Sequence, residues 1–454
     1  MSKSRKKTKT GVKKITQFEI IRPNVAGIDV SDNDAMMVAY PINENEVQIE
    51  AFECYTRDLH RISSTLKSHH IESVAMESTG VYWIPLFLLL QEDGFEVYLV
   101  NSKHVKNVTG RKDDESDAEW IQKLHRCGLL SASFQPDNQT RALRSIVRHR
   151  NSLVKTRSTY LNRMQKALEQ MNLKIHTVIS DIDGKTGLAI INAILSGERD
   201  PEKLANLCDR RIKASREEII KSLEGFWSQE HLFELEQCYE LYEVHNKMIK
   251  KCELKIENLL QEAIKSKNNG IMPKLGKLKR KHSYKNDISI DITNYLFALN
   301  GVDIASINGI KGISEITALT IYSEIGDNLH RFKNEKHFTS WLGLAPNSKI
   351  SGGKTISCHI QKKKHYAGQA FRMAALSLCS KDGPFGDYYR RIRSTSGHSK
   401  AIVALARKLA IIYYQMMTTK QAYNPQTLIE YQEKYKKRKI KHLENYLNKL
   451  KGVA

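Results

Sequence analysis

Four acidic residues are the side chains of this sequence whose types and positions best suit phosphate chemistry. Asp29 lies inside the apolar run VAGIDV, where a carboxylate is costly to bury without a partner. Glu77 ends a second apolar run, and Asp114 and Asp117 are three residues apart, which places them on one face of a helix. Carboxylate oxygens bind Mg²⁺, or alternatively Mn²⁺, and a pair of such ions stabilises the attacking and leaving oxygens of a phosphodiester. The order of these acids therefore predicts a divalent-metal site.

A serine near the other end of the chain is the second candidate group. Ser351 lies in NSKISGGKT, but a nucleotide-binding loop needs a glycine at the position that Ser348 occupies, five residues before Gly353. The preceding HFTSWLGLAP is typical of a helix and a turn, so no strand is predicted to enter this stretch. The residues leave two interpretations, a flexible turn or a serine nucleophile activated by its charged surroundings. The nearby cations that could contact phosphate are Lys354, Lys362, Lys363, Lys364 and Arg372.

The charge balance predicts a polyanionic partner. The 454 residues include 72 Lys and Arg against 50 Asp and Glu, a net charge of +22. Each phosphate neutralised by such a cation releases condensed counterions, which favours nucleic acid binding. A membrane partner is not expected, because the longest apolar run, VYWIPLFLLL, is far shorter than the ~20 residues of a spanning helix. Seven scattered cysteines without a C-x-x-C pair indicate a reducing, cytoplasmic compartment.

The N-terminal third has the pattern of an α/β domain. NVAGIDVS, AMMVAYPI and VQIEAFECY predict three successive strands, with Asp29 in the middle of the first. Helical and strand patterns then alternate, and Glu77 ends the fourth strand. An acidic helix, DDESDAEWIQKLHRCG, follows. This order is that of the ribonuclease H-like fold, which builds nuclease sites at its strand ends.

Two long heptad stretches follow this domain. Val147, Val154, Leu161 and Leu168 recur every seven residues, as do Leu235, Tyr242, Ile249 and Ile256. Sustained heptads predict a coiled coil, either within the chain or between subunits. The first stretch is also basic, and its cations, among them Arg148 and Arg157, form either a solvated face or a track for nucleic acid. The charge excess favours the track.

Several of these motifs together resemble the DEDD-type insertion-sequence transposases, the bridge-RNA-guided recombinases. The resemblance covers residues 24–417, and its motifs are GIDVS, MESTGVYW, GRKDDESDAEWIQKLHRCGLL, IKGISEITALTIYSEIGD, FTSWLGLAPNSKISGGKT and QAFRMAALSL. The family's four acids correspond to Asp29, Glu77, Asp114 and Asp117, and its catalytic serine to Ser351. One departure is Asp113, where the family usually has Thr.

The resemblance implies a domain layout for the chain. It consists of a basic tail (1–23), a RuvC-like DEDD domain (24–135), coiled-coil helices (136–264), a basic linker (265–287), a mostly helical transposase domain with the serine (288–420) and a basic C-terminal helix (421–454). The resemblance also implies that the chain recombines double-stranded donor and target DNA under the guidance of a bridge RNA. This activity is expected in the prokaryotic cytoplasm, at the nucleoid. The serine would form a covalent phosphoserine link, and Mg²⁺ carboxylates of a partner subunit would complete the site. Dimers assembling into a tetramer are expected.

Two other functions are compatible with the same residues. A RuvC-like, Mg²⁺-dependent structure-specific nuclease would cut with water, form no covalent link and use Ser351 only as a turn residue. A non-catalytic, coiled-coil nucleic-acid-binding scaffold would be unaffected by replacement of Asp29 or Asp114. A protein–DNA adduct that depends on Ser351 distinguishes the recombinase from both.

Overall fold

The computed structural model describes residues 19–30, 35–43, 46–78, 80–101, 105, 116–268, 288–306, 309–360, 365–424 and 426–452. The chain divides into two compact units, Met1–Gln135 and Pro136–Ala454. Four of the predicted site residues lie outside the described ranges, namely Asp114, Lys362, Lys363 and Lys364. Within those ranges, every helix is too short or too polar to be a membrane span.

A five-stranded mixed sheet forms the centre of the first unit. The spatial order is β3-β2-β1-β4-β5, where β2 is antiparallel to β1 and β3, whereas β1, β4 and β5 run parallel. This order is compatible with the predicted ribonuclease H-like fold, and the predicted combination of a mixed α/β part with many helices is confirmed. The strands are β1 (Val25–Asp29), β2 (Met36–Pro41), β3 (Val47–Phe52), β4 (Ser73–Glu77) and β5 (Glu96–Val100).

Helices cover both faces of this sheet. Because side chains alternate along a strand, Ile28 and Met76 face one side, where they pack with apolar residues of α1 (Thr56–Ser68) and α2 (Trp83–Glu92). Ala75 faces the other side, where it packs with Trp120 and Ile121 of α3 (Asp117–Arg126). The two parallel crossovers between β1, β4 and β5 contain α1 and α2. The face under α3 is the one that concerns the acidic residues.

The backbone of α3 packs very closely against the sheet at Gly27. A Cβ atom on Gly27 would lie 2.3 Å from both the Ala118 carbonyl oxygen and the Gln122 amide nitrogen. Real side chains do not tolerate such distances, so the helix backbone rests directly on β1 only because this residue has no side chain. The amide of Gln122 also donates from Nε2 to the Val25 carbonyl at 3.3 Å, which ties the helix to the beginning of β1.

A buried histidine fixes the other end of α3. The His125 Nε2 atom lies 2.8 Å from the Ser73 hydroxyl at the start of β4, and that hydroxyl donates to the Glu96 carbonyl of β5 at 3.0 Å. Burial, and to a smaller extent the positive charge of Arg22, lowers the pKa of His125 to about 4. The imidazole is therefore neutral near pH 7 and links the helix to two parallel strands.

The second unit contains two long antiparallel helices, α4 (Asn138–Gln170) and α8 (Gln229–Asn268). Contacts from Arg150 to Glu253, from Arg157 to Asn246 and from the Tyr160 ring to the His245 ring run forward along α4 and backward along α8. The four heptad residues of α8 are at most 5% exposed. These residues thus pack inside one chain, while a supercoil of the pair stays a prediction.

Three shorter helices connect the far ends of this pair. They are α5 (Lys185–Leu195), α6 (Pro201–Ala205) and α7 (Arg216–Leu223). Ile190, Ile191 and Leu223 share one apolar core with Leu168 of α4 and Leu235 of α8. The segment with these shorter helices therefore stabilises the end of the pair where α4 ends and α8 begins.

The other elements that the structure describes in the second unit are helices and one hairpin. Phe338 is fully buried, and its ring contacts those of Phe371, Tyr413 and Tyr414, which joins three helices at one point. The elements are α9 (Ile292–Asn300), α10 (Glu315–Ile325), α11 (Glu335–Trp341), β6 (Pro346–Ser351), β7 (Lys354–Ile360), α12 (Tyr366–Leu378), α13 (Pro384–Ser396), α14 (His398–Thr419) and α15 (Gln426–Leu450).

Substituting Gly27 with alanine should destabilise the first unit strongly. The added Cβ would overlap the backbone of α3, so we expect a loss of about 3 kcal/mol or more in the free energy of unfolding. Gly94→Ala is the matched control, because it has open space but a positive φ of 91°, which costs about 1–2 kcal/mol. Native-state hydrogen exchange of peptides from residues 19–135 measures both losses; equal losses would refute the close contact.

The stability of the first unit should also depend on His125 below pH 7. Its pKa is about 4 when folded and about 6.5 when unfolded, so the unfolded state binds more protons as the pH falls. The stabilisation is complete above about pH 6.5 and is lost toward pH 4, with about 2 kcal/mol lost between pH 7 and pH 5. His125→Phe should flatten this slope in hydrogen exchange, whereas replacement of the exposed His60 by Gln should not. An unchanged slope in His125→Phe would contradict the assignment.

Candidate active site

Asp29 and Glu77 lie side by side at the carboxyl edge of the parallel strands. Asp29 is the last residue of β1, not its middle as the sequence predicted, and Glu77 is the last residue of β4, as predicted. The register pairs Gly27 with Ala75 and Ile28 with Met76, so Asp29 and Glu77 come next on the two strands. Both are partly exposed. The carboxyl edge of parallel strands is where open α/β sheets bind ligands.

Both carboxylates project from the face of the sheet that α3 covers. Side chains two residues apart on a strand share a face, so Asp29 shares the face of Gly27, and Glu77 that of Ala75. Gly27 and Ala75 both pack against α3. Asp117, the third predicted acid, is the first residue of this helix. The fold therefore places three predicted acids on one face, from two strand ends and one helix start.

The start of α3 differs from the sequence prediction. Ser116 is the N-cap, and its hydroxyl accepts a hydrogen bond from the Glu119 amide at 3.2 Å. The helix thus begins at Asp117, and Asp114 lies outside the described residues. The positive end of the helix dipole favours a carboxylate at Asp117.

The donor atoms fit a divalent cation, but the described residues do not form a complete set of ligands. Carboxylate oxygens are the ligands that Mg²⁺ prefers, and the three acids share one face. Among the described residues, no three His, Cys, Asp or Glu side chains lie close enough together to hold a metal ion. Asp29, Glu77 and Asp117 each already take part in an interaction of their own. A fourth ligand from Asp114 stays a prediction.

Ser351 ends the first strand of a β-hairpin, which the sequence analysis did not predict. β6 runs directly into Ser351, β7 begins at Lys354, and only Gly352 and Gly353 connect them. Both glycines have positive φ, 56° and 75°, as the tight turn of a two-residue hairpin requires. Residues Asn347 to Ile350 before a Gly-Gly pair contained this signal, but the absence of an obvious strand pattern concealed it. The prediction that no strand leads into Ser351 was wrong. The glycine that a nucleotide-binding loop needs at position 348 is still absent, so such a loop remains excluded.

The hairpin exposes Ser351 beside a cation. Ser351 and Lys354 are direct cross-strand partners, so their side chains share one face, and both are exposed. A register shift near Ile350 bends the hairpin just below its tip. Ile350 and Ile356 are 65% and 69% exposed, so the tip is not packed into the core. A serine hydroxyl in this position is accessible to a large substrate.

Arg372 supports the approach to the hairpin. Its Nη2 atom donates to the Gly343 carbonyl at 2.8 Å, in the turn that precedes β6. Burial lowers the pKa of its guanidinium, which nevertheless stays charged. Leu342 and Leu344 on either side of Gly343 are buried. Arg372 therefore has a structural contact at the base of the hairpin in addition to its predicted role.

The two predicted cations of α4 also have partners within the chain. Arg148 donates from Nε and Nη2 to the two carboxylate oxygens of Glu324 at 2.7 and 2.8 Å, and its guanidinium lies 4.3 Å from the Tyr366 ring. Arg157 donates from Nη1 to Asn246 at 2.9 Å. These contacts hold α4 to α10 and α8. Their part in nucleic acid binding stays a prediction.

Comparisons with known proteins relate both parts of the chain to transposases. Residues 26–173 match a family model described as Transposase (DEDD_Tnp_IS110), and residues 305–390 match one described as Transposase IS116/IS110/IS902 family. The first range contains the four predicted acids, and the second contains Ser351 and Lys354.

A curated relative gives the same relationship. The chain is 25% identical over 126 residues to the Transposase for insertion sequence element IS1111A of Coxiella burnetii. This alignment covers 27% of the chain and spans 34% of the relative's length. Taken with the two family models, it shows that the chain belongs to the IS110 family of DEDD-type transposases.

Proposed function

We propose that this chain is a DNA transposase of an insertion sequence, which cuts and rejoins DNA through a covalent link to Ser351. The observation that carries the proposal is the exposed serine at the tip of a Gly-Gly hairpin, directly opposite Lys354, inside a segment that matches a transposase model. A nucleophile that attacks a DNA backbone has to reach a bulky polyanion. A narrow, cationic hairpin tip suits this requirement.

The proposed step exchanges one phosphate ester for another. The Ser351 Oγ atom forms a bond to phosphorus, and one P–O bond to deoxyribose breaks. The proton of the serine hydroxyl is transferred to the deoxyribose oxygen that leaves, which becomes a free hydroxyl. In the reverse sense, a hydroxyl of a second DNA end attacks the phosphoserine and restores the free serine. Because the number of ester bonds is conserved, no external energy source is needed. Lys354 would stabilise the extra negative charge on the phosphate oxygens.

The carboxylates are proposed to hold a divalent ion. Asp29, Glu77 and Asp117 would be ligands, and Asp114 would be the fourth. The ion, Mg²⁺ or Mn²⁺, would supply Lewis-acid stabilisation of charge on phosphate oxygens. The chain's own contribution is to hold the helix that begins at Asp117 against the strand that ends at Asp29, through the contact between Gly27 and α3.

Sequence choice is proposed to rest with a bridge RNA rather than with the protein. The net charge of +22 suits contacts to the backbones of two nucleic acids. In guided systems the protein reads mainly shape and backbone, while base pairing reads sequence. Donor and target DNA, the RNA and further copies of the chain are the proposed partners.

A denaturation-resistant protein–DNA adduct should form and should require Ser351. The full chain is incubated with labelled donor and target DNA, with and without RNA transcribed from the flanks of its gene, and then denatured. Ser351→Ala should abolish the adduct, whereas Ser357→Ala on the same hairpin should retain it. Formation only with the RNA supports guidance. An adduct in Ser351→Ala refutes the nucleophile, and cut DNA without any adduct favours a RuvC-like nuclease.

Removing one carboxylate should weaken metal binding without DNA. Asp29→Asn and Asp117→Asn should each raise the dissociation constant for Mn²⁺, measured by electron paramagnetic resonance, by about tenfold or more, because each removes a charged ligand. Asp114→Asn tests the fourth ligand in the same way. Glu92→Gln, an exposed acid at the end of α2, is the control that should bind as the natural chain does. Unchanged Mn²⁺ binding in Asp29→Asn would refute the site.

A further inference from the structure

The segment that carries Ser351 is closed at its base by two aromatic side chains. Trp341 is the last residue of α11, before the hairpin, and His365 lies immediately before α12, after the hairpin. The centroids of their rings are 4.0 Å apart, and the rings meet edge to face at 73°. This contact joins two points 24 residues apart along the chain and encloses the whole hairpin.

Two further contacts tie the approach to the hairpin to α12. A Cβ atom on Gly368 would lie 2.2 Å from the Leu342 carbonyl oxygen, so the first turn of α12 rests directly on the turn that follows α11. Arg372, one turn further along α12, donates to the Gly343 carbonyl at 2.8 Å. The group of residues that makes these contacts is called the neck of the hairpin, and it consists of Trp341, Leu342, Gly343, His365, Gly368 and Arg372.

His365 contributes to the neck in two ways. It is the N-cap of α12, where its Nδ1 atom accepts a hydrogen bond from the Gly368 amide at 3.2 Å, and its ring packs against Trp341. Helices prefer Asn, Asp, Ser or Thr as N-caps, which satisfy such an amide with a smaller side chain. The imidazole ring is therefore more than the cap requires, and its contact with Trp341 distinguishes this residue from an ordinary cap.

The neck is anchored in the core, whereas the tip of the hairpin is not. The Trp341 ring stacks over the ring of the fully buried Phe338 at 6.4 Å, and Phe371 of α12 contacts the same ring edge to face. Ile350 and Ile356, close to the tip, are 65% and 69% exposed. The direction of the hairpin is therefore set by its attachment at the neck.

The length of the hairpin turns a small tilt at the neck into a large displacement of Ser351. The serine comes five residues after Pro346, the first residue of β6. At about 3.3 Å per residue this distance is roughly 17 Å, so a tilt of about 10° would move the serine by about 3 Å. A displacement of about 1 Å at a reacting group can slow a reaction on the order of 100-fold.

We propose that His365 is a positioning residue for Ser351. By capping α12 and packing against Trp341, it keeps the neck closed and fixes the direction in which the hairpin presents the serine hydroxyl to a DNA phosphate. Its effect on the reaction is transmitted through β6 and β7, which lie between the neck and the tip. This inference rests on the proposed function, because it concerns the reaction of Ser351.

The first test measures adduct formation in a single turnover, at saturating DNA and with the RNA present. His365→Ala should lower the rate constant about 100-fold and leave the final yield of adduct and the dissociation constant for DNA unchanged. A residue that only stabilised the fold would do the reverse, because unfolded molecules lower the yield while folded ones react normally. His337→Ala, an exposed histidine of α11, is the matched control and should react at the natural rate.

The second test separates the two contacts of His365. His365→Asn keeps a cap but loses the ring, and His365→Phe keeps a ring but loses the acceptor, so each should react about tenfold more slowly than the natural chain and faster than His365→Ala. In a chain that already has Trp341→Leu, His365→Asn should slow the reaction no further, since the ring contact is already gone.

The third test needs no DNA. The full chain, which has four tryptophans, is labelled with 5-fluorotryptophan, and the ¹⁹F signal of Trp341 is identified by its absence from Trp341→Leu. His365→Ala should shift this signal and leave that of Trp227, which belongs to a different core, unchanged. An unshifted Trp341 signal would show that the neck does not depend on His365.

The outcomes of the kinetic test distinguish this proposal from the proposed function. If the natural chain forms no adduct, both fail. If Ser351→Ala abolishes the adduct but His365→Ala forms it at the natural rate, only the positioning role is refuted. A lower yield at the natural rate would reduce His365 to a stabilising residue, and a raised dissociation constant at the natural rate would make it a DNA contact; either result overturns the proposal.

Discussion

The position of α3 on the sheet, on the face where the predicted acids lie, depends on a glycine. At Gly27 the backbone of α3 rests directly on β1, with space for a hydrogen but none for a methyl group. This contact fixes the distance between helix and sheet, and Asp29 and Asp117 follow at the strand end and at the helix start. The buried pair of His125 and Ser73 secures the opposite end of the helix. The metal binding proposed for these carboxylates depends on this alignment.

In the second unit, a buried ion pair fixes the position of one helix against another. Arg150 and Glu253, both almost fully buried, join α4 to α8, and Glu253 also accepts a hydrogen bond from the Ser289 hydroxyl at 2.6 Å. A buried pair is poor evidence of net stabilisation, but each partner alone would be strongly destabilising. The pair therefore specifies the register of the two helices and anchors the chain that follows residue 288. Because the heptads are used inside this pair, any further contact of α8 has to use its outward side.

Some features of the structure could be predicted from local sequence patterns, and others could not. The succession of strands along the first unit, the position of Glu77 and the two long helices followed from alternation, apolar runs and heptads, which are local properties. The position of Asp29 and the start of α3 were misplaced, because strand and helix ends depend on caps such as Ser116 and on neighbours distant in sequence. The hairpin at Ser351 was missed because β6 and β7 are short and polar and stabilise each other mainly by backbone pairing. Only their Gly-Gly connection indicated it.

The sequence by itself determined the residue types, the succession of elements in the first unit, the two long helices and the exclusion of a nucleotide loop, since these depend on composition, period and spacing along one chain. The tertiary structure decided which side chains meet. It aligned Asp29 with Glu77 through a parallel register and engaged Arg148 with Glu324, 176 residues away. It also decided which side of α8 is buried. Such pairings are set by the packing of segments far apart in sequence, about which a local pattern contains no information.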